Sequence, residues 1–116
     1  MREQNVIKDK SMEFAVRIVR LYMYLAEKEH EYVMSKQVLR SGTSIGANVR
    51  EAEYAQSRKD FISKMSVALK EAAETEYWIE LLYRTEYLKC DAYESILADS
   101  QELCRILISI VNSSKT

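Results

Sequence analysis

At 116 residues, with 47% hydrophobic and 30% charged side chains, the chain is long enough for one buried core and too apolar to stay disordered. A formal net charge of −1 and a pI near 5.9 exclude the overall basicity that non-specific phosphate binding draws on, so any nucleic-acid contact needs a local patch. The absence of Pro and a glycine count of 2 leave almost no turn punctuation, which favours an all-helical domain over any strand-rich class.

Helix one is expected over about residues 9–29. Phe14, Ile18, Leu21 and Leu25 form one apolar stripe, and Met12, Val16, Val19, Met23 and Ala26 form a second on nearly the opposite side. Glu13, Arg17, Arg20, Tyr24 and Glu27 share one narrow polar stripe. So wide an apolar arc exceeds what one helix of a small bundle buries within its own chain, and Met12, Val16, Val19 and Met23 are expected at an oligomer interface. A deeply buried helix would also use the arc, but a helix of a four-helix monomer normally keeps an outer face.

Residues 31–34 read as a connector, with Ser35 as N-cap of a helix two that runs to about residue 55. Both glycines of the chain fall inside it. Val38, Gly42, Ile45, Val49 and Ala52 make an apolar stripe, while Ser41, Ser44, Asn48, Glu51 and Ala55 make a small, polar one beside it. Each interior Gly gives up about 1 kcal/mol of helix stability, a loss that a close-packed neighbour compensates, so helix two belongs at the crowded centre.

Ser57 is placed to cap helix three, expected over about residues 58–88, with Asp60 complementing the dipole of its first turn. Phe61, Met65, Ala68, Ala72, Thr75, Ile79 and Leu82 repeat by four and three, a seam suited to lengthwise packing. Val67, Trp78 and Leu81 lie off that seam, and Trp78 joins the expected oligomer interface. Asp91 and Glu94 have capping-box spacing at the head of helix four, expected over about residues 91–112, with Asn112 to Thr116 fraying. Ile96, Leu103, Leu107 and Ile110 form its main stripe. Short connectors imply a single domain over residues 1–116, an all-α, antiparallel up-down-up-down four-helix bundle.

No signal-peptide core opens the chain, and the longest apolar run, Ile106 to Val111, is interrupted by Ser109, so a soluble, cytoplasmic protein without a membrane partner is expected. Cys90 and Cys104 lack paired spacing and read as reduced thiols. A carboxylate-bridged metal bundle needs Glu-x-x-His twice, and Glu27 with His30 supplies it once, so no metal or cofactor is expected. With one histidine and no glycine-rich phosphate loop, the pattern points away from an enzyme.

The run from Leu39 to Leu82 resembles the four-helix-bundle proteins named after the intervening sequences of 23S ribosomal RNA genes. Its telling parts are RSGTSIGAN from Arg40 to Asn48 with Glu51 following, DFI at Asp60 to Ile62, ALKEA at Ala68 to Ala72, and ETEYW ending at Trp78. The resemblance implies a left-handed bundle that assembles as a ring-like homopentamer, with no established enzyme activity. It is distantly similar to the accessory variability determinant of diversity-generating retroelements, a pentamer that binds nucleic acid and a reverse transcriptase. A non-enzymatic scaffold or adaptor, with RNA, DNA or a nucleic-acid-processing protein as partner, is what this implies.

Two surfaces then compete for function. Arg40, Ser44, Asn48 and Glu51 on helix two face Glu71 and Glu74 on helix three. They form either an internal polar network that fixes helix register, with Arg40 paired to Glu71 or Glu74 and Asn48 bonded to a neighbouring helix, or a receptor for a small polar ligand held by Arg40, Asn48, Glu51 and Glu71. Residues 36–64 carry six basic and three acidic side chains. Within them Arg50, Arg58, Lys59 and Lys64 form a basic corner, either a solvated rim or, multiplied by a ring, a set of weak phosphate contacts.

Overall fold

Arg2–Glu27 (α1), Met34–Ala52 (α2), Arg58–Arg84 (α3) and Cys90–Ser114 (α4) are the elements of the computed structural model, which describes residues 2–115 and contains no strand among them. The sequence pattern of each helix explains its burial. Ile7, Phe14, Ile18 and Leu25 of α1 meet Val38, Ile45, Val49 and Ala52 of α2, Met65, Ala68, Ala72, Ile79 and Leu82 of α3, and Ile96, Leu103, Leu107 and Ile110 of α4 in one core. α1 packs on α2 and α4, and α3 packs on the same two. The molecule measures 44 × 21 × 19 Å. A helix of 26 residues, the length of α1, is about 39 Å long, so it can lie only along the longest dimension. This is the arrangement of a four-helix bundle.

Several helix ends differ from expectation for identifiable reasons. α1 begins at Arg2 rather than near residue 9 because Ile7 and Ser11, both buried, extend its inner stripe by two turns. Ser35 does not cap α2. The carboxylate of Glu31 does so instead, accepting the backbone N–H groups of Val33 (3.1 Å), Met34 (3.0 Å) and Ser35 (2.7 Å), while the Ser35 hydroxyl donates back to the Glu31 carbonyl at 2.8 Å. Burial pushes the Glu31 pKa up, but those backbone bonds more than offset it and the net shift is downward. Ser57 caps α3 as its sequence position suggests, accepting the Asp60 N–H at 3.0 Å, and the Asp60 carboxylate accepts the Gln56 N–H in return at 3.2 Å.

α3 ends at Arg84, not near 88, because Glu86 turns the chain with φ of 70°. The Glu86 N–H then bonds the Tyr83 carbonyl at 3.0 Å and the Tyr87 N–H reaches the Leu82 carbonyl at 2.9 Å, which closes the helix in a Schellman motif and drops Leu88 into the core. The Asp91–Glu94 capping box does not form: Lys89 is the N-cap and makes no side-chain cap bond, and Glu94 instead accepts the Cys90 thiol at 3.5 Å. At its other end α4 stays helical to Ser114 because Val111 is buried and the Ser114 hydroxyl bonds the Ile110 carbonyl at 2.6 Å. Of the segment expected to fray, Thr116 lies outside the described residues.

The glycines of α2 are not equivalent. A Cβ on Gly42 would lie 2.8 Å from both Cγ atoms of Ile18, whose branch point cannot move away, so this position lets α1 and α2 close. A Cβ on Gly46 would meet Ser11 at 3.4 Å, an ordinary contact.

Candidate functional site

The polar stripe of α2 divides into two local systems. Arg40, half exposed, donates to Glu71 Oε2 at 3.3 Å and to Glu74 Oε2, which also accepts the Trp78 indole N–H at 2.9 Å. Beneath this cluster the fully buried hydroxyls of Ser41 and Thr75 lie 3.0 Å apart and join α2 to α3. Further along, Ser44 donates to the Arg40 carbonyl at 2.6 Å and Asn48 donates to the Ser44 carbonyl at 2.9 Å. These are bonds within α2, so the expected bond from Asn48 to a neighbouring helix is not made; a short side chain mid-helix finds its i−4 carbonyl first. Glu51 turns outward to Lys64 of α3 at 3.1 Å. Arg40 and Glu71 thus pair with each other, whereas Asn48 bonds within its own helix and Glu51 pairs with Lys64.

Trp78 is bound into this cluster, half buried against the core, with Tyr77 edge-on to it at 5.0 Å. Met12, Val16, Val19 and Met23 stand elsewhere, on the outside of α1. They are 50%, 44%, 40% and 47% exposed, in a 4-3-4 spacing over three turns. Met12 also borders a shallow cleft of about 180 Å³ between α1 and α2, lined by Ala15, Thr43, Gly46, Ala47 and Arg50. A row of apolar side chains beside a cleft floored by small residues offers ridges and a groove on one surface.

The basic corner is weaker than its composition. The Lys64 ammonium is held by Glu51, whose hydrogen bond and charge raise its pKa, whereas Arg50, Arg58 and Lys59 form no ion pair with any described residue. Arg58 sits beside Gln4, Phe61 and Ser113 at one end of the molecule. Both thiols are free; burial, and then the charge of Glu76, push the Cys104 thiol up, away from nucleophilic use. His30 is exposed in a turn with φ of 54°. No group of three or more His, Cys, Asp or Glu among the described residues is arranged to hold a metal ion. Among those residues, too, no helix is long and apolar enough to cross a membrane.

Periodicity gave no sign of one further feature. A cavity of about 430 Å³ opens between α1, the connector after α3 and the start of α4, lined by Arg17, Arg20, Leu21, Tyr24, Tyr87, Leu88, Lys89, Ala92 and Ile96. The apolar Leu88, last residue of the expected helix three, gave no such sign, because the cavity exists only once that segment turns into a connector.

Fold and surface together define a small all-α bundle protein with an apolar seam on its exterior. A family model described as 23S rRNA-intervening sequence protein matches residues 3–109, and the chain belongs to that family. It is similar to a protein of unknown function from the S23 ribosomal protein family of Bacteroides thetaiotaomicron, seen in a crystal structure. The two are 65% identical with a TM-score of 0.94, over 95% of this chain and 98% of that one. Among curated proteins, none matches significantly.

Proposed function

We propose that this chain is a non-enzymatic, homo-oligomeric scaffold whose copies associate through the outer seam of α1, as a ring of five, and present the free cations of the basic corner to RNA, DNA or a protein that processes them. The observation that carries the reading is the exposed row Met12, Val16, Val19 and Met23, too regular and too apolar for a solvated helix face. An antiparallel up-down-up-down path fits the contacts between helices. Ile18 meets Gly42 where Ser11 meets Gly46, Arg40 meets Glu74 where Glu51 meets Lys64, and Arg17 meets Asp99 where Glu3 meets Ser109. In each pair of helices, one partner's number rises as the other's falls.

Sedimentation equilibrium tests the assembly. The native chain is expected to run as an oligomer at micromolar concentration and Val16→Glu with Val19→Glu as a folded monomer; a native monomer would overturn the proposal. Binding of single-stranded RNA and DNA against salt tests the rim. Combined Arg50→Ala, Arg58→Ala and Lys59→Ala substitution is expected to flatten the salt dependence, by about 0.7 in log–log slope for each phosphate that a copy no longer neutralises. An unchanged slope would remove the nucleic-acid part and leave the assembly standing.

A further inference from the structure

We propose that the cavity between α1, residues 85–89 and the start of α4 binds a small organic anion with a flat apolar body, of the aryl carboxylate class. Its volume, about 430 Å³, falls within the range of about 300–1,000 Å³ typical of small-molecule sites. The floor is apolar, made by Leu21, Leu88, Ala92 and Ile96, and Tyr24 and Tyr87 supply aromatic walls. Its charge is one-sided. Three cationic residues line it and, among the described residues, no carboxylate does. Arg17 is already neutralised, donating to Asp99 Oδ2 at 2.7 Å and to Ser95 Oγ at 2.8 Å, so it acts as a fixed wall. Arg20 and Lys89 make no ion pair or side-chain hydrogen bond with any described residue.

Two uncompensated cations at the edge of an apolar hollow select a ligand that is anionic at one end and apolar at the other. Inorganic phosphate could meet the cations but would leave the apolar floor wet, whereas a naphthalene-sized ring covers it. On α1, Arg17, Leu21 and Tyr24 share the face that meets α4 through the Arg17–Asp99 pair, and Arg20 stands at its edge, one helical turn on from Val16 of the proposed seam. The proposed site and the proposed seam therefore adjoin at Arg20.

The test is isothermal titration of the full chain at low salt with 2-naphthoate, its neutral isostere 2-naphthamide, and inorganic phosphate. One 2-naphthoate per chain is expected, with 2-naphthamide and phosphate each bound at least about tenfold more weakly. Arg20→Ala and Lys89→Ala are each expected to weaken 2-naphthoate binding by about three- to tenfold, and Lys70→Ala, an exposed cation of α3 outside the cavity lining, to leave it unchanged. Arg20 and Lys89 are exposed and unpaired, so these variants keep the fold. Equal binding of 2-naphthamide, or affinity unaffected by both cavity variants, would overturn the site. Phosphate bound as tightly as 2-naphthoate would overturn the aryl assignment.

Discussion

α1 carries two apolar stripes of the same helical spacing, and the bundle treats them in opposite ways. Ile7, Phe14, Ile18 and Leu25 are at most 3% exposed, whereas Met12, Val16, Val19 and Met23 remain 40% to 50% exposed. Hydrophobicity alone does not separate them. The partner's shape does: Ile18 occupies the space left by the missing side chain of Gly42, and Ser11, on the same inner face, lies against Gly46. A stripe becomes core where the facing helix is hollowed to receive it, and the stripe without such a counterpart within the chain stays exposed.

The contrast breaks most sharply on truncation. Ile18→Ala should cost about 2–5 kcal/mol in urea unfolding, while Val16→Ala, measured below the concentration at which the chain assembles, should cost no more than about 0.5 kcal/mol. Comparable losses at the two positions would mean that the outer stripe is core. Next comes Gly42→Ala. Its Cβ overpacks against Ile18, and a net loss of about 1–3 kcal/mol is expected despite the helix propensity gained. Gly46→Ala, facing Ser11 with room for a methyl group, should be neutral or up to about 1 kcal/mol stabilising. Thermal melts of the two variants decide whether the close approach is confined to Gly42.

Smaller effects probe how the inner stripe is tied to α2. Glu31→Gln removes the charge from the carboxylate that caps α2 and should cost about 1 kcal/mol near neutral pH. Because the folded pKa of Glu31 is lowered, its contribution is fully present above the ordinary Glu value of about 4.3 and is lost as pH falls through the lower folded value. The difference between native and Glu31→Gln stability should therefore shrink as unfolding is measured at progressively more acid pH; a constant difference would separate the cap from its charge. Smallest is Glu86→Gly, expected to stabilise by about 0.5–1 kcal/mol because the left-handed backbone at φ of 70° strains any side chain.

Much of this was legible beforehand. The inner stripes of α2 and α3, the Ser57 cap and the surplus seam of α1 follow from periodicity and local chemistry. Less legible were the helix ends set by nonlocal burial. The polar look of residues 2–5 concealed a helix that Ile7 anchors, and a carboxylate reaching forward from Glu31 displaced the cap expected at Ser35. The polar stripe shows the same limit. Its residue types and spacing were visible, but that Arg40 pairs across to α3 while Asn48 turns back on its own helix depends on how closely α3 approaches α2 at each position.

By itself, the sequence of this family member determined that the chain is all-α, which helix faces are apolar, and where two missing side chains permit close approach, because these depend on residue type and a repeat of 3.6. Only the tertiary structure decided which carboxylates Arg40 holds, where Asn48 finds its bond, and that Arg20 and Lys89 flank an apolar cavity. Those outcomes depend on side chains distant in sequence arriving at one place, which helical periodicity does not encode.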